Sequence, residues 1–223
     1  MNIIVVSLAR AKDRRERMKK QLEDLELGGI IIDAVDGQEL SEEEKNKRLH
    51  LQGGYRYGEL FQPGELGCTM SHINALKLAR EKNWEHLIVL EDDIILAEDF
   101  KKRVKLLFSI VQNDWEHIYL SGTIRSPWHN PNLNFPNTVP SINTECTHSM
   151  IIRDSAYNKV IDYLSLFETT TDDSYNQMIK TGSLRSYTYY PFVTYAADDF
   201  TYIWDHSLDR EHPSKKFFKN KLW

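Results

Sequence analysis

The apolar run Leu87-Ile88-Val89-Leu90 ends in three consecutive carboxylates, Glu91-Asp92-Asp93, before Ile94-Ile95-Leu96 resumes the apolar pattern. The run reads as a buried strand that delivers acid to its own carboxyl end. Adjacent carboxylates repel one another and resist burial, so such a cluster needs a cation or solvent to be tolerated. In open α/β sheets ligands gather beyond the carboxyl ends of strands. Hard oxygen ligands suit Mg²⁺ or Mn²⁺, which keep coordination positions for phosphate oxygens. The triplet therefore predicts a divalent-metal site facing a nucleotide diphosphate. The competing reading is a solvated acidic loop or a helix N-terminus, since Glu98 and Asp99 follow closely and acids favour first helical turns.

The rest of the chain supplies a setting for that strand. Asn2 to Leu8 is apolar enough for a first strand, and Ala11 to Leu25 follows with Met18, Leu22 and Leu25 at helical spacing. Ile30-Ile31-Ile32 is a short strand leading into Asp33-Ala34-Val35-Asp36-Gly37, where Asp-Gly marks a turn. Ser41 with Glu44 three residues on opens a short helix. Residues 52–58 form a loop containing Gly and Tyr, and Pro63 to Lys82 resumes helical spacing. Phe100, Val104, Leu107 and Val111 mark the next helix, His117 to Leu120 the next strand. Residues 122–143 hold four of the seven prolines and form a long loop. Thr147 to Ile152, helices from about Asp154 and Thr171, and the aromatic stretch Tyr187 to Tyr195 complete the pattern. Alternating strands and helices predict one α/β layered domain, residues 1–210, with a mainly parallel central sheet flanked by helices. A basic and aromatic tail, residues 211–223, follows it.

Composition narrows the partners. With 28 basic and 33 acidic residues, the net charge of −5 argues against nucleic acid, so a diphosphate must find local positive charge. Arg10, Lys12, Arg14, Arg15 and Arg17, just after the first strand, could supply it, although most such residues form a solvated helix face. No apolar stretch approaches the ~20 residues needed to cross a bilayer. Two cysteines make no disulfide framework, and a reducing cytoplasm is the expected compartment.

Two further segments carry chemistry or its look-alikes. Pro63-Gly64-Glu65-Leu66-Gly67-Cys68-Thr69-Met70-Ser71-His72 joins glycines that permit close backbone approach to side chains able to read a sugar or ribose. It reads equally as a helix start with Pro63 in the first turn and His72 hydrogen-bonded inside. Cys68 and His72 lie one helical turn apart, and Cys146 with His148 would complete a four-ligand zinc set. Neither pair has zinc-finger spacing, and a lone helical cysteine usually acts as a small buried apolar residue. Asp172 and Asp173 follow Thr170-Thr171 and suit helix capping, with general-base duty as the alternative.

Taken together, Gly64-Glu65-Leu66-Gly67-Cys68 with Ser71-His72, and Leu90-Glu91-Asp92-Asp93, resemble the family 25 glycosyltransferases. That group contains bacterial lipopolysaccharide and lipooligosaccharide galactosyltransferases and the procollagen galactosyltransferases. The resemblance spans about residues 3 to 205, with weaker matches at Ser7-Leu8 with Arg14 and Arg17, Ala34 to Gly37, Thr147 to Ile152 and Asp173-Ser174-Tyr175.

The resemblance implies a GT-A (Rossmann-like) fold, a UDP-sugar donor and Mn²⁺ or Mg²⁺ at the acidic motif. Asp93 is then the principal metal ligand, Glu91 contacts metal or ribose, and Asp92 stands beside them. Ser7, Leu8, Arg14, Asp36 and Gly37 fall on the uridine side, while Glu65, Ser71 and His72 face sugar or diphosphate. Known members invert the anomeric centre, so a base is needed: Asp173 first, Asp172 second. His148, His206 and Asp199 are candidates for a third metal contact. The expected activity is transfer of galactose from UDP-galactose to a hydroxyl of a lipooligosaccharide, lipopolysaccharide or other surface glycan. UDP-glucose or UDP-N-acetylhexosamine donors, a catalytically silent binding module and a metal-dependent nucleotidyltransferase are the alternatives. The tail suits the anionic inner face of a bacterial inner membrane.

Overall fold

In the computed structural model, which describes residues 1–49, 55–56, 59–60, 62–124, 136–141 and 144–197, a seven-stranded sheet organises the chain. Its order is Ile30–Asp33, Ile3–Ser7, His86–Glu91, Ser149–Arg153, His117–Tyr119, Ser186–Tyr190 and Asn137–Pro140. The first three strands pair in parallel, as do the 117–119 and 186–190 strands. The 149–153 strand is antiparallel to both neighbours, and the 137–140 edge strand runs against its partner. All strands but these two therefore share one direction, and the mainly parallel expectation holds with one reversed strand set into the middle.

The described helices are α1 (Lys12–Asp24), α2 (Glu42–Leu49), α3 (Pro63–Glu81), α4 (Phe100–Ile110), α5 (Asp154–Leu164) and α6 (Thr171–Lys180). Strand residues alternate between two cores. Ile3, Val5, Ile88, Leu90 and Ile151 pack with Met18 and Leu22 of α1 and Phe100, Val104 and Leu107 of α4. Ile4, Val6, Leu87, Val89, Met150 and Ile152 pack with α3, α5 and α6 on the other face. A sheet covered on both faces reads as unbroken apolar runs rather than alternation, which explains why Leu87 to Leu90 carries no polar break.

The predicted capping box closes α2: Glu44 N donates to Ser41 Oγ at 3.2 Å, and Ser41 N donates back to Glu44 at 3.1 Å. Ile94–Leu96 forms a separate ribbon with Thr194–Ala196. The acidic triplet thus sits where the chain leaves one sheet and enters another. Most of the 52–58 and 122–143 loops, Asp199, His206 and the 211–223 tail lie outside the described residues.

Candidate active site

The parallel register sets Val6 opposite Glu91, which brings Ser7 beside Asp92 across the ends of two strands. Ser7 Oγ donates to Asp92 Oδ2 at 2.5 Å, and Arg14 Nη1 of α1 donates to Oδ1 at 2.9 Å. Arg17 Nη2 donates to the Asp92 carbonyl at 2.8 Å. Both oxygens of Asp92 are thereby engaged inside the protein. Its role in this geometry is to anchor the acidic turn to the first strand and to α1.

Glu91 and Asp93 are treated differently. Burial pushes Glu91 upward, but the hydrogen bond and charge of His72, with His148 and Thr147 behind them, outweigh it and hold Glu91 below its ordinary value. His72 Nε2 lies 3.1 Å from Glu91 Oε1, and Thr147 Oγ1 donates to the same oxygen at 3.2 Å. Burial and then the Glu91 charge raise Asp93 to about 7, against the opposing pull of Arg14. Burial first and the Glu91 charge second disfavour the ionised Asp93, and a cation beside it would offset both. Two hard oxygen donors in such a spot fit Mg²⁺ or Mn²⁺.

These residues line an open cleft together with Ser7, Leu8, Arg14, Asp36, Gly37, Ser71 and His72. Its far wall depends on two glycines. A Cβ on Gly37 would stand 1.6 Å from the Pro63 carbonyl oxygen, and one on Gly67 would stand 2.5 Å from that of Val35. The Asp36-Gly37 turn and the first turns of α3 therefore touch backbone to backbone. Ser71 completes the seam, donating to Gly67 O at 2.6 Å and accepting from Val35 N at 2.8 Å. Asp36 caps the turn through Gln38 N at 3.1 Å, and the Arg10 hydrogen bond at 2.6 Å holds its carboxyl below its ordinary value.

Glu65 is placed in the helix-start role: its side chain accepts from Gln62 N at 2.9 Å, closing a capping box with Pro63 in the first turn. Burial, with Glu91 second, pushes the Cys68 thiol well up, so it is no activated nucleophile. The four-ligand zinc set is not brought together among the described residues: Cys68 and His72 group with Glu91 instead, and His148 Nε2 meets Ser121 Oγ at 3.0 Å.

At the start of α6 the two aspartates part. Asp172 Oδ1 accepts from Thr147 Oγ1 at 3.2 Å and Oδ2 from Cys146 N at 2.9 Å. Burial raises Asp172, the Cys146 amide opposes this, and the Glu91 charge adds to it. Asp173 instead accepts from Thr170 Oγ1 at 3.3 Å, while its amide donates to the same cap hydroxyl. Thr147 enters the sequence reading only as the first residue of the weak Thr147 to Ile152 match, with no role of its own. A single threonine at a strand entrance has no pattern to announce it, and only the pairing of the 149–153 strand with the acidic strand sets it between two carboxylates.

The model of glycosyltransferase family 25 (LPS biosynthesis protein) matches residues 1–171. The chain belongs to that family. Procollagen galactosyltransferase 2 of Mus musculus is 32% identical over 153 residues, 66% of this chain and 24% of the relative. Inactive glycosyltransferase 25 family member 3 of Homo sapiens is 34% identical over 125 residues, 53% of this chain and 21% of that one. The chain thus spans about a quarter of the length of these relatives. The crystal structure of a glycosyltransferase involved in the glycosylation of the major capsid of PBCV-1 superposes with a TM-score of 0.55 at 10% identity, covering 90% of this chain and 94% of that one. The match is one of fold, and the GT-A architecture expected of the family 25 chain is the one found. No helix among the described residues is long and apolar enough to cross a membrane.

Proposed function

We propose that this family 25 chain is an inverting transferase that moves a hexose, galactose before its epimers, from a UDP-sugar to a hydroxyl of a glycan or glycolipid acceptor. The observation that carries the proposal is the division within the acidic triplet. Asp92 is satisfied by Ser7 and Arg14, whereas Glu91 and Asp93 line one cleft where burial and the Glu91 charge raise Asp93, so that a cation there would relieve both.

Glu91 and Asp93 would hold Mn²⁺ or Mg²⁺, which when bound offsets the charge that a leaving diphosphate gains. Ser7, Leu8, Asp36 and Gly37 form the wall assigned to uridine, and the backbone seam at Gly37 and Gly67 fixes its distance from the acids. His72 orients Glu91 and lines the part of the cleft assigned to sugar and diphosphate. Ser71 and Glu65 support that wall from within α3. The resemblance points to Asp173 as base, with Asp172 second. Geometry favours Asp172, because its carboxyl is raised by burial and connects through Thr147 to Glu91, while Asp173 serves the α6 cap. Among the third-contact candidates, His148 is the described one, and its ring binds Ser121.

The family description and the procollagen relatives support a surface-glycan or glycoprotein acceptor, a lipopolysaccharide or lipooligosaccharide being our first choice. Work at the cytoplasmic face of an inner membrane, with the 211–223 tail on the lipid, follows from that choice. Liposome binding unchanged by truncation at Pro213 would count against it. The second reading is a silent sugar-nucleotide-binding module, favoured by the likeness to an inactive human relative.

Calorimetry tests the donor site directly. UDP should bind with Mn²⁺ present and fail to bind without it, and Asp93→Ala should lose the Mn²⁺-dependent component while its circular dichroism stays native. Equal UDP affinity with and without Mn²⁺, or in Asp93→Ala, would refute the assignment.

A further inference from the structure

Beside the proposed donor site lies a ligand set of different chemical character. Cys68 and His72 are four residues apart on α3 and so occupy one face, a turn apart. Glu91 approaches that face from the end of the 86–91 strand. One ligand atom from each of the three lies within 4.8 Å of the others. In a tetrahedral zinc site, bonds of about 2.0–2.3 Å put neighbouring ligand atoms roughly 3.3–3.8 Å apart. The three side chains are therefore within rotamer adjustment of enclosing one ion.

The state of His72 adds an independent observation. The residue is 1% exposed, its Nε2 is held by Glu91, and its Nδ1 is buried with no hydrogen-bond partner among the described residues. Nε2 is therefore the nitrogen turned towards Glu91 and the ligand set, and Nδ1 would carry the ring proton while Nε2 coordinates. All three side chains also line the open cleft, so an ion held by them would keep a free position towards solvent, as in sites that exchange ligands.

We propose that Cys68, His72 and Glu91 form a second cation site, selective for thiophilic divalent ions such as Zn²⁺ and Co²⁺. A thiolate and an imidazole discriminate for these ions, whereas Mn²⁺ and Mg²⁺ prefer the all-oxygen environment of Asp93. Binding forms a metal–sulfur bond and releases the thiol proton to solvent, so no redox step is involved. Glu91 belongs to both sites. If the proposed Mn²⁺-dependent transfer is correct, Zn²⁺ acts as its antagonist, but the cation site itself stands on geometry independent of that activity.

The experiment uses tag-free, metal-stripped full-length protein titrated with Co²⁺. The wild type and Cys146→Ser should both develop a thiolate-to-cobalt charge-transfer band in the near ultraviolet with the visible bands of a four-coordinate ion, and Zn²⁺ should abolish them. Cys68→Ser should lack the charge-transfer band. As a check free of Cys68 substitution, Zn²⁺ should slow alkylation of the remaining thiol in Cys146→Ser by at least tenfold. Absence of the band in wild type, its persistence in Cys68→Ser, or alkylation indifferent to Zn²⁺ would overturn the proposal. A Co²⁺ signal in a protein inactive on every UDP-sugar would uphold this site while removing the transferase proposal.

Discussion

Glu91 and Asp172 meet at one hydroxyl, for Thr147 Oγ1 lies 3.2 Å from a carboxylate oxygen of each. A hydroxyl has one proton, so it donates to one carboxylate at a time. Glu91 is held below its ordinary value and Asp172 above it. The Thr147 proton is thus shared between the two carboxylates, and when Asp172 carries a proton of its own the Thr147 lone pair can accept it. The same atom steadies an acid of the proposed metal site and the proposed base.

Thr147→Val should lower turnover by about 10- to 100-fold, the worth of a hydrogen bond to a charged group. Thr147→Ser, which keeps the hydroxyl, should retain most of it. Steady-state rates on a common donor and acceptor decide the matter, and equal rates for Val and wild type would remove Thr147 from the account.

Asp172→Asn should depress kcat by about 100-fold or more with little change in donor KM, as expected when a general base is lost. Asp173→Asn should leave kcat within a few-fold, because Asn keeps the side-chain oxygen that meets Thr170. The reverse ranking would return the base to Asp173.

Gly37→Ala should destabilise the fold by about 2–3 kcal/mol, since the added Cβ meets backbone that must shift. The donor wall should loosen with it. Gly28→Ala, with nothing within 4 Å of its Cβ, should be neutral or stabilising by up to about 1 kcal/mol. Urea unfolding of the two variants gives the comparison, and similar midpoints would contradict the interlocked seam.

Burial lowers His117 from 6.5 to about 3. In the unfolded chain this ring takes a proton below about pH 6.5, while in the fold it stays neutral until about pH 3. The unfolded state thus binds more protons in that window, and stability falls as pH falls. From pH 7.5 to 5.5 this one group removes about 1.4 kcal/mol. His117→Gln should be less stable at pH 7.5, having lost packing against Tyr119 and Tyr175, yet show a flatter loss towards pH 5.5. His86 and His148, also lowered by burial, keep part of the slope. An unchanged slope in urea titrations would exclude His117 as its source.

Much of the architecture was legible because it is written locally. Leu87 to Leu90, the Ser41 and Glu44 box and the Thr170 cap each announce an element within a few residues. The place of the acidic triplet at the end of a buried strand was legible as well, because the apolar run Leu87 to Leu90 leads straight into it. What local pattern cannot carry is the division inside Glu91-Asp92-Asp93. That depends on Ser7 and Arg14, brought alongside by strand register. Gly37 looked like a turn glycine, but its deeper constraint is the Pro63 carbonyl on α3. Thr147 joins Glu91 to Asp172 across 56 and 25 residues of sequence, and nothing nearby foretells it.

The central claim is that the cleft binds a UDP-sugar through a cation held by Glu91 and Asp93, and acceptor-free donor hydrolysis tests it without knowledge of the acceptor. Across a panel of UDP-galactose, UDP-glucose and UDP-N-acetylhexosamines, the account predicts release of UDP that requires Mn²⁺, is fastest from UDP-galactose, and disappears in Asp93→Ala. UDP release from no donor in the panel, or release equally fast without metal and in Asp93→Ala, would contradict it.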